Sequence, residues 1–109
     1  MAYDERLAER IRELMAPMPG MSERKMFGGI AFMINGNMAC GPVDDRLMVR
    51  VGPEGYEDAL QQPGASELSF TGRPMRGMVE VEPATLEDQV ALATWVARGV
   101  DFAASLPPK

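Results

Sequence analysis

Residues 30–40 read Ile-Ala-Phe-Met-Ile-Asn-Gly-Asn-Met-Ala-Cys, and this stretch decides the fold. The Asn-Gly pair at 35–36 predicts a β-hairpin, because a two-residue type I′ turn needs positive φ at both central residues. Such a turn pairs Met33 with Met38, and it pairs Phe32 with Ala39. Alternation along the strands then predicts two apolar faces, one formed by Met33, Met38, Ala31 and Cys40 and the other by Phe32, Ile30 and Ala39.

The sequence on either side of the turn predicts three strands in succession. Residues 24–34 are interpreted as one strand, whose two consecutive glycines form a bulge or a close backbone approach. Residues 37–41 form the returning strand, and a turn of two aspartates leads into a third strand over 46–51. The third strand alternates cleanly, which predicts that one of its faces consists of Leu47, Val49 and Val51 and the other of Arg46, Met48 and Arg50.

Two more strands are predicted in the second half of the chain, over 67–71 and 77–82. The valines of the second stretch alternate with methionine and glutamate, which is typical of a strand with one buried face. Glu80 could pair with Arg50 across the sheet if their strands are neighbours.

Three helices are predicted from the spacing of apolar residues. The first covers 4–16, and its apolar stripe is Leu7, Ile11, Leu14 and Met15. A short helix begins at Gly52, ends before Pro63 and buries Tyr56, Ala59 and Leu60. A long helix covers 86–105 after a Thr-Asp capping pair at 85 and 88. Its main apolar stripe is predicted to be Leu86, Val90, Ala93, Ala97, Val100 and Ala104. A separate flank on the other side consists of Trp95, Phe102 and Leu106.

The order of these elements is helix, three strands, helix, two strands, helix. Short connections favour antiparallel neighbours, so we expect an α+β domain with three helices packed on a sheet of about five antiparallel strands. The chain has 109 residues, of which 46% are hydrophobic and 25% charged, so we expect one globular domain spanning 1–109. The charged N-terminus has no signal-peptide pattern, and no apolar run is long enough to cross a bilayer. We therefore expect a cytoplasmic protein with no membrane contact.

The composition also restricts the chemistry. The chain has one cysteine and no histidine, which excludes a Ser-His-Asp triad, a Cys-His dyad and a histidine-ligated zinc site. Cys40 lies among apolar residues of a strand and is expected to be structural. No combination of base, orienting group and pocket can be assembled from the other residues. We therefore expect no enzyme, no catalytic residues, no metal site and no cofactor.

Two basic pairs are candidate contacts for an anion or an acidic partner. Arg73 and Arg76 lie on a predicted turn, and Arg24 and Lys25 lie on a predicted strand. The alternative for both pairs is a solvated position beside nearby acids. The net charge is −5, all of it from residues 51–109, so we expect no tight direct binding to DNA.

The ten methionines are the most informative residue type, because flexible thioethers suit adaptable cores and adaptable binding surfaces. A central strand buried on both sides would explain apolar residues on both hairpin faces. Surplus apolar surface is the other explanation, and it predicts a homodimer. The residues predicted for the dimer interface are Met33, Met38, Trp95 and Phe102.

Several of these motifs, in this order, resemble the N-terminal domain of the TfoX/Sxy competence-regulator family. They are residues 24–33, the Asn-Gly turn, residues 46–51, residues 70–75 and the final helix with Trp95. The resemblance implies an α+β fold of the secretion-chaperone-like class. In longer members a second domain follows, and the protein promotes expression of DNA-uptake genes as a coactivator. We expect this chain to have only the N-terminal domain.

Two functions are therefore compatible with the sequence. The first is a non-enzymatic regulatory or protein-interaction module, with a partner in transcription regulation. The second is a domain that binds a small anion or another small ligand through Arg73 and Arg76.

Overall fold

The computed structural model describes residues 3–26, 29–68 and 76–109. The elements in this part of the chain are α1 (Glu5–Met15), β1 (Met21–Met26), β2 (Gly29–Ile34), β3 (Asn37–Val43), β4 (Arg46–Arg50), α2 (Gly52–Leu60), β5 (Ala65–Glu67), β6 (Met78–Val81), α3 (Pro83–Leu86) and α4 (Gln89–Ser105). The strands form one antiparallel sheet in the order β1-β2-β3-β4-β6-β5. The predicted α+β class is confirmed. None of the helices among these residues is long and apolar enough to span a membrane.

The sheet has six strands because the single strand predicted over 24–34 is wrong. The stretch is divided between β1 and β2, which pair in antiparallel register from Met21 opposite Ile34 to Met26 opposite Gly29. The chain therefore reverses where a bulge within one strand was expected, and residues 27–28 lie outside the described part. Glycine allows either conformation, so its presence did not distinguish a bulge from a reversal.

The predicted turn between β2 and β3 is confirmed. The predicted pairing of the two strands is correct at Met33 and Met38 and wrong at the next pair. Asn35 and Gly36 have φ angles of 53° and 82°, as a type I′ turn requires, and Met33 pairs with Met38. Phe32, however, pairs with Cys40, because the register shifts by one residue between the two pairs. A shift of one residue moves a side chain to the other face of the sheet, so the predicted position of Cys40 on the methionine side is wrong.

Every described helix packs on the same face of the sheet. The core cluster joins strand residues such as Phe32 and Val49 to helix residues such as Ile11, Tyr56 and Val96. The predicted first helix is confirmed: Asp4 caps it by accepting hydrogen bonds from two backbone N–H groups, and its buried residues are Leu7, Ala8, Ile11 and Met15. The helix α2 begins at Gly52 as predicted and buries Tyr56 and Ala59, whereas the predicted burial of Leu60 is only partial.

The last helix is shorter than predicted and faces the sheet with a different side. Asp88 accepts a hydrogen bond from the backbone N–H of Val90 and caps α4, and the short helix α3 precedes it. The buried residues of α4 are Leu92, Trp95, Val96, Gly99 and Ala103. The predicted main stripe is wrong, because Val90 is 73% exposed and Ala97 and Ala104 are also exposed. The helix is apolar on most of its circumference, so periodicity did not identify the side that faces the sheet.

Both edges of the sheet are poor templates for further strands. The outer strand β1 exposes four consecutive polar residues, Ser22, Glu23, Arg24 and Lys25, and the other edge strand, β5, has only three residues. Charged side chains and short strands are the usual protection of sheet edges against unwanted pairing. Neither edge of the described sheet therefore offers a long, unprotected strand.

Candidate functional site

The face of the sheet opposite the helices carries a row of methionines. The register sets Gly41 opposite Met48, Met48 opposite Glu80, and Arg50 opposite Met78, so that these side chains share one side. We call this side the methionine face. Its strand residues include Ser22 and Arg24 in β1, Ala31 and Met33 in β2, Met38, Gly41 and Val43 in β3, Arg46, Met48 and Arg50 in β4, Ser66 in β5, and Met78 and Glu80 in β6.

Each of the four inner strands contributes one methionine to this face. Met33 and Met48 are 8% and 9% exposed, whereas Met38 and Met78 are half-buried. Ala31 is fully buried, yet neither it nor any of these methionines belongs to the core cluster that the helices form. The face therefore has an apolar base with two partly exposed thioethers above it.

The charged side chains of the methionine face are mostly basic. Its strand residues include three arginines and one glutamate, although the whole chain has a net charge of −5. Glu80 is only 6% exposed and forms an ion pair with Arg46, not with Arg50 as the sequence suggested. The register explains the difference, because Arg50 lies opposite Met78.

Arg24 and Arg50 lie in strands on either side of the paired methionines, but the charge of Arg50 is held against a residue of α4 on the helix side. Arg24 is exposed on β1, and the guanidinium of Arg50 stacks on the ring of Phe102 with 5.3 Å between them. Glu82, which follows β6, lines a cleft together with Arg46 and Glu80.

The basic residues predicted to bind an anion do not form one site among the described residues. Arg24 and Lys25 are both exposed but point to opposite faces of the sheet, since they are opposite Ala31 and Ile30. Arg76 lies just before β6, four strand spacings from β1, or roughly 19 Å. Its guanidinium lies 5.9 Å from the centre of the Tyr56 ring. Arg73 falls outside the described residues.

The four residues predicted for a dimer interface are on different sides of the molecule. Trp95 is only 5% exposed and belongs to the core cluster on the helix side, so the expectation that it forms a surface flank is wrong. Phe102 is half-buried and contacts Arg50. Met33 and Met38 lie on the methionine face. The dimer itself stays a prediction, but Trp95 offers no surface for it.

Cys40 lies in the core and has the chemistry of a buried apolar residue. It is fully buried, and its Sγ is 4.0 Å from the Sδ of Met15. Burial raises the pKa of its thiol to about 12. In the described part of the chain, no three histidine, cysteine, aspartate or glutamate residues are grouped so as to hold a metal ion. The predicted structural role of Cys40 therefore agrees with its position.

We expect Cys40 to resist alkylation by iodoacetamide at neutral pH while the protein is folded, because only the thiolate reacts and this thiol is enclosed. The raised pKa also sets the pH dependence of stability. The unfolded chain, with an ordinary thiol pKa of 9.0, loses the proton first. The contribution of Cys40 to stability is therefore complete below pH 9 and is lost as the pH rises towards 12. Mass spectrometry with and without urea measures the alkylation, and rapid modification without urea would contradict this expectation.

A second surface feature is a cleft between α2 and α4 that the sequence did not predict. Its volume is about 550 Å³, and its lining includes Gly52, Arg98 and Phe102. Gly52 has a φ of +83°, and a Cβ at this position would overlap the ring of Phe102. Arg98 is already paired with Asp58 at 2.7 Å. The cleft therefore has packed walls and an arginine whose charge is matched.

The methionine face was only partly recognised from sequence. The alternation of Arg46, Met48 and Arg50 on one side of a strand was visible, and so was the pairing of Met33 with Met38. The missing information was that β4 lies beside β3 and β6, which places the two sets on one surface.

The protein is therefore an α+β protein in which the described helices cover one face of an antiparallel sheet, and the opposite face has methionines from four adjacent strands. The family model for the TfoX N-terminal domain matches residues 13–103, and the chain belongs to that family. The resemblance seen in the sequence is thereby confirmed. No curated protein matches this chain.

Proposed function

We propose that this chain is a non-enzymatic regulatory module that acts by binding another protein through the methionine face. Membership of the TfoX N-terminal domain family supports a regulatory role connected with competence, since longer members promote expression of DNA-uptake genes. The observation that carries the proposal is the row of methionines on four adjacent strands, outside the core cluster.

Methionine suits such a contact for a physical reason. Its unbranched side chain and polarizable sulfur adapt to partners of different shape, and methionine is used repeatedly at adaptable binding surfaces. Met38 and Met78 are partly exposed and can contact a partner, while Met33 and Met48 form the base beneath them. A regulatory module needs such a surface more than it needs reactive groups, and the one cysteine is buried with a raised pKa.

The test is a change in gene expression caused by a change confined to this face. We expect deletion of the gene from its native host to lower the transcripts of DNA-uptake genes. We expect the wild-type gene to restore them and the Met38→Gln/Met78→Gln variant not to do so. Glutamine has nearly the length of methionine but replaces apolar contact with an amide that needs hydrogen bonds.

Val90→Gln is the matched control, because Val90 is a large apolar residue of α4 that is 73% exposed and lies on the helix side of the sheet. This variant should restore the transcripts fully. Circular dichroism of both purified variants shows whether they are folded. Unchanged transcripts after deletion, or full restoration by the double methionine variant, would contradict the proposed function.

A further inference from the structure

We propose that Asn35 is a deamidation site and that residues 106–109, which we call the strap, control its reaction by holding the peptide plane between Asn35 and Gly36. The reaction is the spontaneous conversion of the asparagine into an aspartyl or isoaspartyl residue, with water as the co-reactant. This modification is independent of the proposed function and of the methionine face. Three features carry it: the residue pair at the turn, the exposure of that turn and the contacts of the strap.

The reaction needs a backbone nitrogen that can attack the side chain of the preceding asparagine. The nitrogen of Gly36 loses its proton to solvent hydroxide and attacks Cγ of Asn35. The new C–N bond closes a cyclic imide, and Nδ2 leaves as ammonia, taking a proton from water and regenerating the hydroxide. A water molecule then opens the imide at one of its two carbonyls. One opening gives an aspartyl residue, and the other gives an isoaspartyl residue whose backbone runs through the side-chain carbons.

Asn35 is placed for this reaction and the other asparagine is not. Gly36 has no Cβ to obstruct its own nitrogen, and no described residue accepts a hydrogen bond from its N–H. Asn35 is exposed. Asn37, the second of the two asparagines in the chain, precedes Met38, is 2% exposed and donates a hydrogen bond to the carbonyl oxygen of Pro107 at 3.0 Å. Asn37 therefore serves as an internal comparison.

The strap fixes the peptide plane that contains the attacking nitrogen. The backbone N–H of Lys109 donates a hydrogen bond of 2.8 Å to the carbonyl oxygen of Asn35, which lies in the same plane as the nitrogen of Gly36. A Cβ on Gly36 would lie 2.9 Å from Cβ of Lys109, so the strap lies directly against this plane.

The turn geometry explains why this contact slows the reaction. In a type I′ turn ψ of the first central residue is about +30°, which directs the following nitrogen away from the side chain of Asn35. To reach Cγ, the nitrogen must rotate with its plane about ψ of Asn35, and this rotation breaks the hydrogen bond to Lys109. The docked strap therefore opposes formation of the imide.

Few contacts hold the strap in place. Pro107, Pro108 and Lys109 are exposed. Among the described residues, the hydrogen bonds of the strap beyond Leu106 are those with Asn35 and Asn37. Segments with exposed backbone and few contacts open at a small fraction of the free energy of global unfolding. Opening of the strap therefore allows Asn35 to react while the domain stays folded.

The isoaspartyl product would alter the central hairpin. It adds one carbon atom to the backbone of a two-residue turn whose geometry sets the pairing of β2 with β3. The new carboxylate also adds a negative charge to a chain of net charge −5. The strap therefore protects the hairpin against a change that weakens it.

The test measures the rate of conversion in the folded full chain at mildly alkaline pH. Trypsin releases a peptide spanning 26–46, which contains both asparagines, and chromatography with mass spectrometry separates its asparaginyl, aspartyl and isoaspartyl forms. Lys109→Pro removes the N–H that donates to Asn35. We expect this variant to raise the rate at Asn35 about two- to tenfold, the ratio that corresponds to one hydrogen bond.

Lys109→Ala is the matched control, because it removes the same charge but keeps both the N–H and the Cβ. Its rate should stay within about twofold of the wild-type rate. The chain unfolded in guanidinium chloride gives the upper reference rate, since neither the turn nor the strap constrains Asn35 there. We expect the unfolded chain to react fastest, Lys109→Pro next and the folded wild type most slowly, with Asn37 unconverted in the folded proteins.

Three results would overturn the inference. They are a folded wild type that reacts as fast as the unfolded chain, equal rates for Lys109→Pro and Lys109→Ala, and conversion of Asn37 before Asn35. Circular dichroism shows whether the variants are folded. If Lys109→Pro were unfolded, Pro108→Gly would take its place, because it loosens the strap without removing a donor and should also raise the rate.

Discussion

Replacing Trp95 by alanine is expected to lower the free energy of unfolding by about 3–5 kcal/mol, the range for removing a large buried aromatic side chain. Trp95 is 5% exposed within the core cluster on the helix side, and the guanidinium of Arg98 stacks on its ring at 5.3 Å. A small domain has roughly 5–15 kcal/mol of stability in total, so the variant should be partly unfolded at moderate temperature. Urea unfolding followed by circular dichroism measures the loss.

Val90→Ala is the control for this substitution, since it removes apolar atoms from the same helix at a position that is 73% exposed. Its effect should stay within about 0.5 kcal/mol. If Trp95→Ala were as mild as Val90→Ala, Trp95 would be a surface residue after all and would return to the predicted dimer interface. Trp95→Glu should unfold the protein, because it leaves a charge in the core, rather than separate two folded copies.

Replacing Gly99 by alanine is expected to lower the free energy of unfolding by about 1–3 kcal/mol, the usual effect of overpacking. A Cβ at Gly99 would overlap the carbonyl oxygen of Ala39 in β3 and lie 3.0 Å from its carbonyl carbon. These are backbone atoms in a central strand, so α4 must move away from the sheet to accommodate the methyl group. The higher helix propensity of alanine, about 1 kcal/mol, offsets only part of this loss.

Gly55→Ala in α2 is the matched control, because the nearest atom to a Cβ there is 3.9 Å away. With space available, the same substitution should raise the free energy of unfolding by about 0.4–1 kcal/mol. The two variants should therefore move the thermal midpoint in opposite directions, as measured by scanning calorimetry. A stabilised Gly99→Ala variant would show that α4 does not approach the backbone of Ala39 closely enough to exclude a methyl group.

The methionine face illustrates how tertiary structure can reverse the impression given by net charge. The net charge of −5 predicts an acidic surface that repels anionic partners. Folding places Arg24, Arg46 and Arg50 on one side of the sheet, with Glu80 as the acidic residue among its strands. The register therefore concentrates arginines in the strands of an acidic chain, although Arg46 is paired with Glu80 and the guanidinium of Arg50 stacks on Phe102.

The positions predicted well from sequence are those where neighbouring residues decide the conformation. The turn at Asn35 and Gly36 requires positive φ, which these residue types tolerate, so the hairpin and the pairing of Met33 with Met38 could be inferred. The first helix has a single apolar stripe and a capping aspartate, and both signals lie within one short segment.

The positions predicted poorly are those where distant parts of the chain decide which side of an element is buried. The buried side of α4 depends on where Gly99 can approach Ala39, some sixty residues earlier in the chain. The face on which Cys40 lies depends on a shift of register within the hairpin, which exchanges inside and outside for the residues beyond it.

By itself the sequence determined the α+β class, the central hairpin, the first helix and the family, because each depends on local patterns or on motifs in order along the chain. The tertiary structure alone decided that Trp95 is core, that Val90 is surface and that the methionines of four strands meet on one face. The physical reason is that a helix or strand with more than one apolar side can bury any of them. The side that is buried is the one against which a neighbouring element packs most closely.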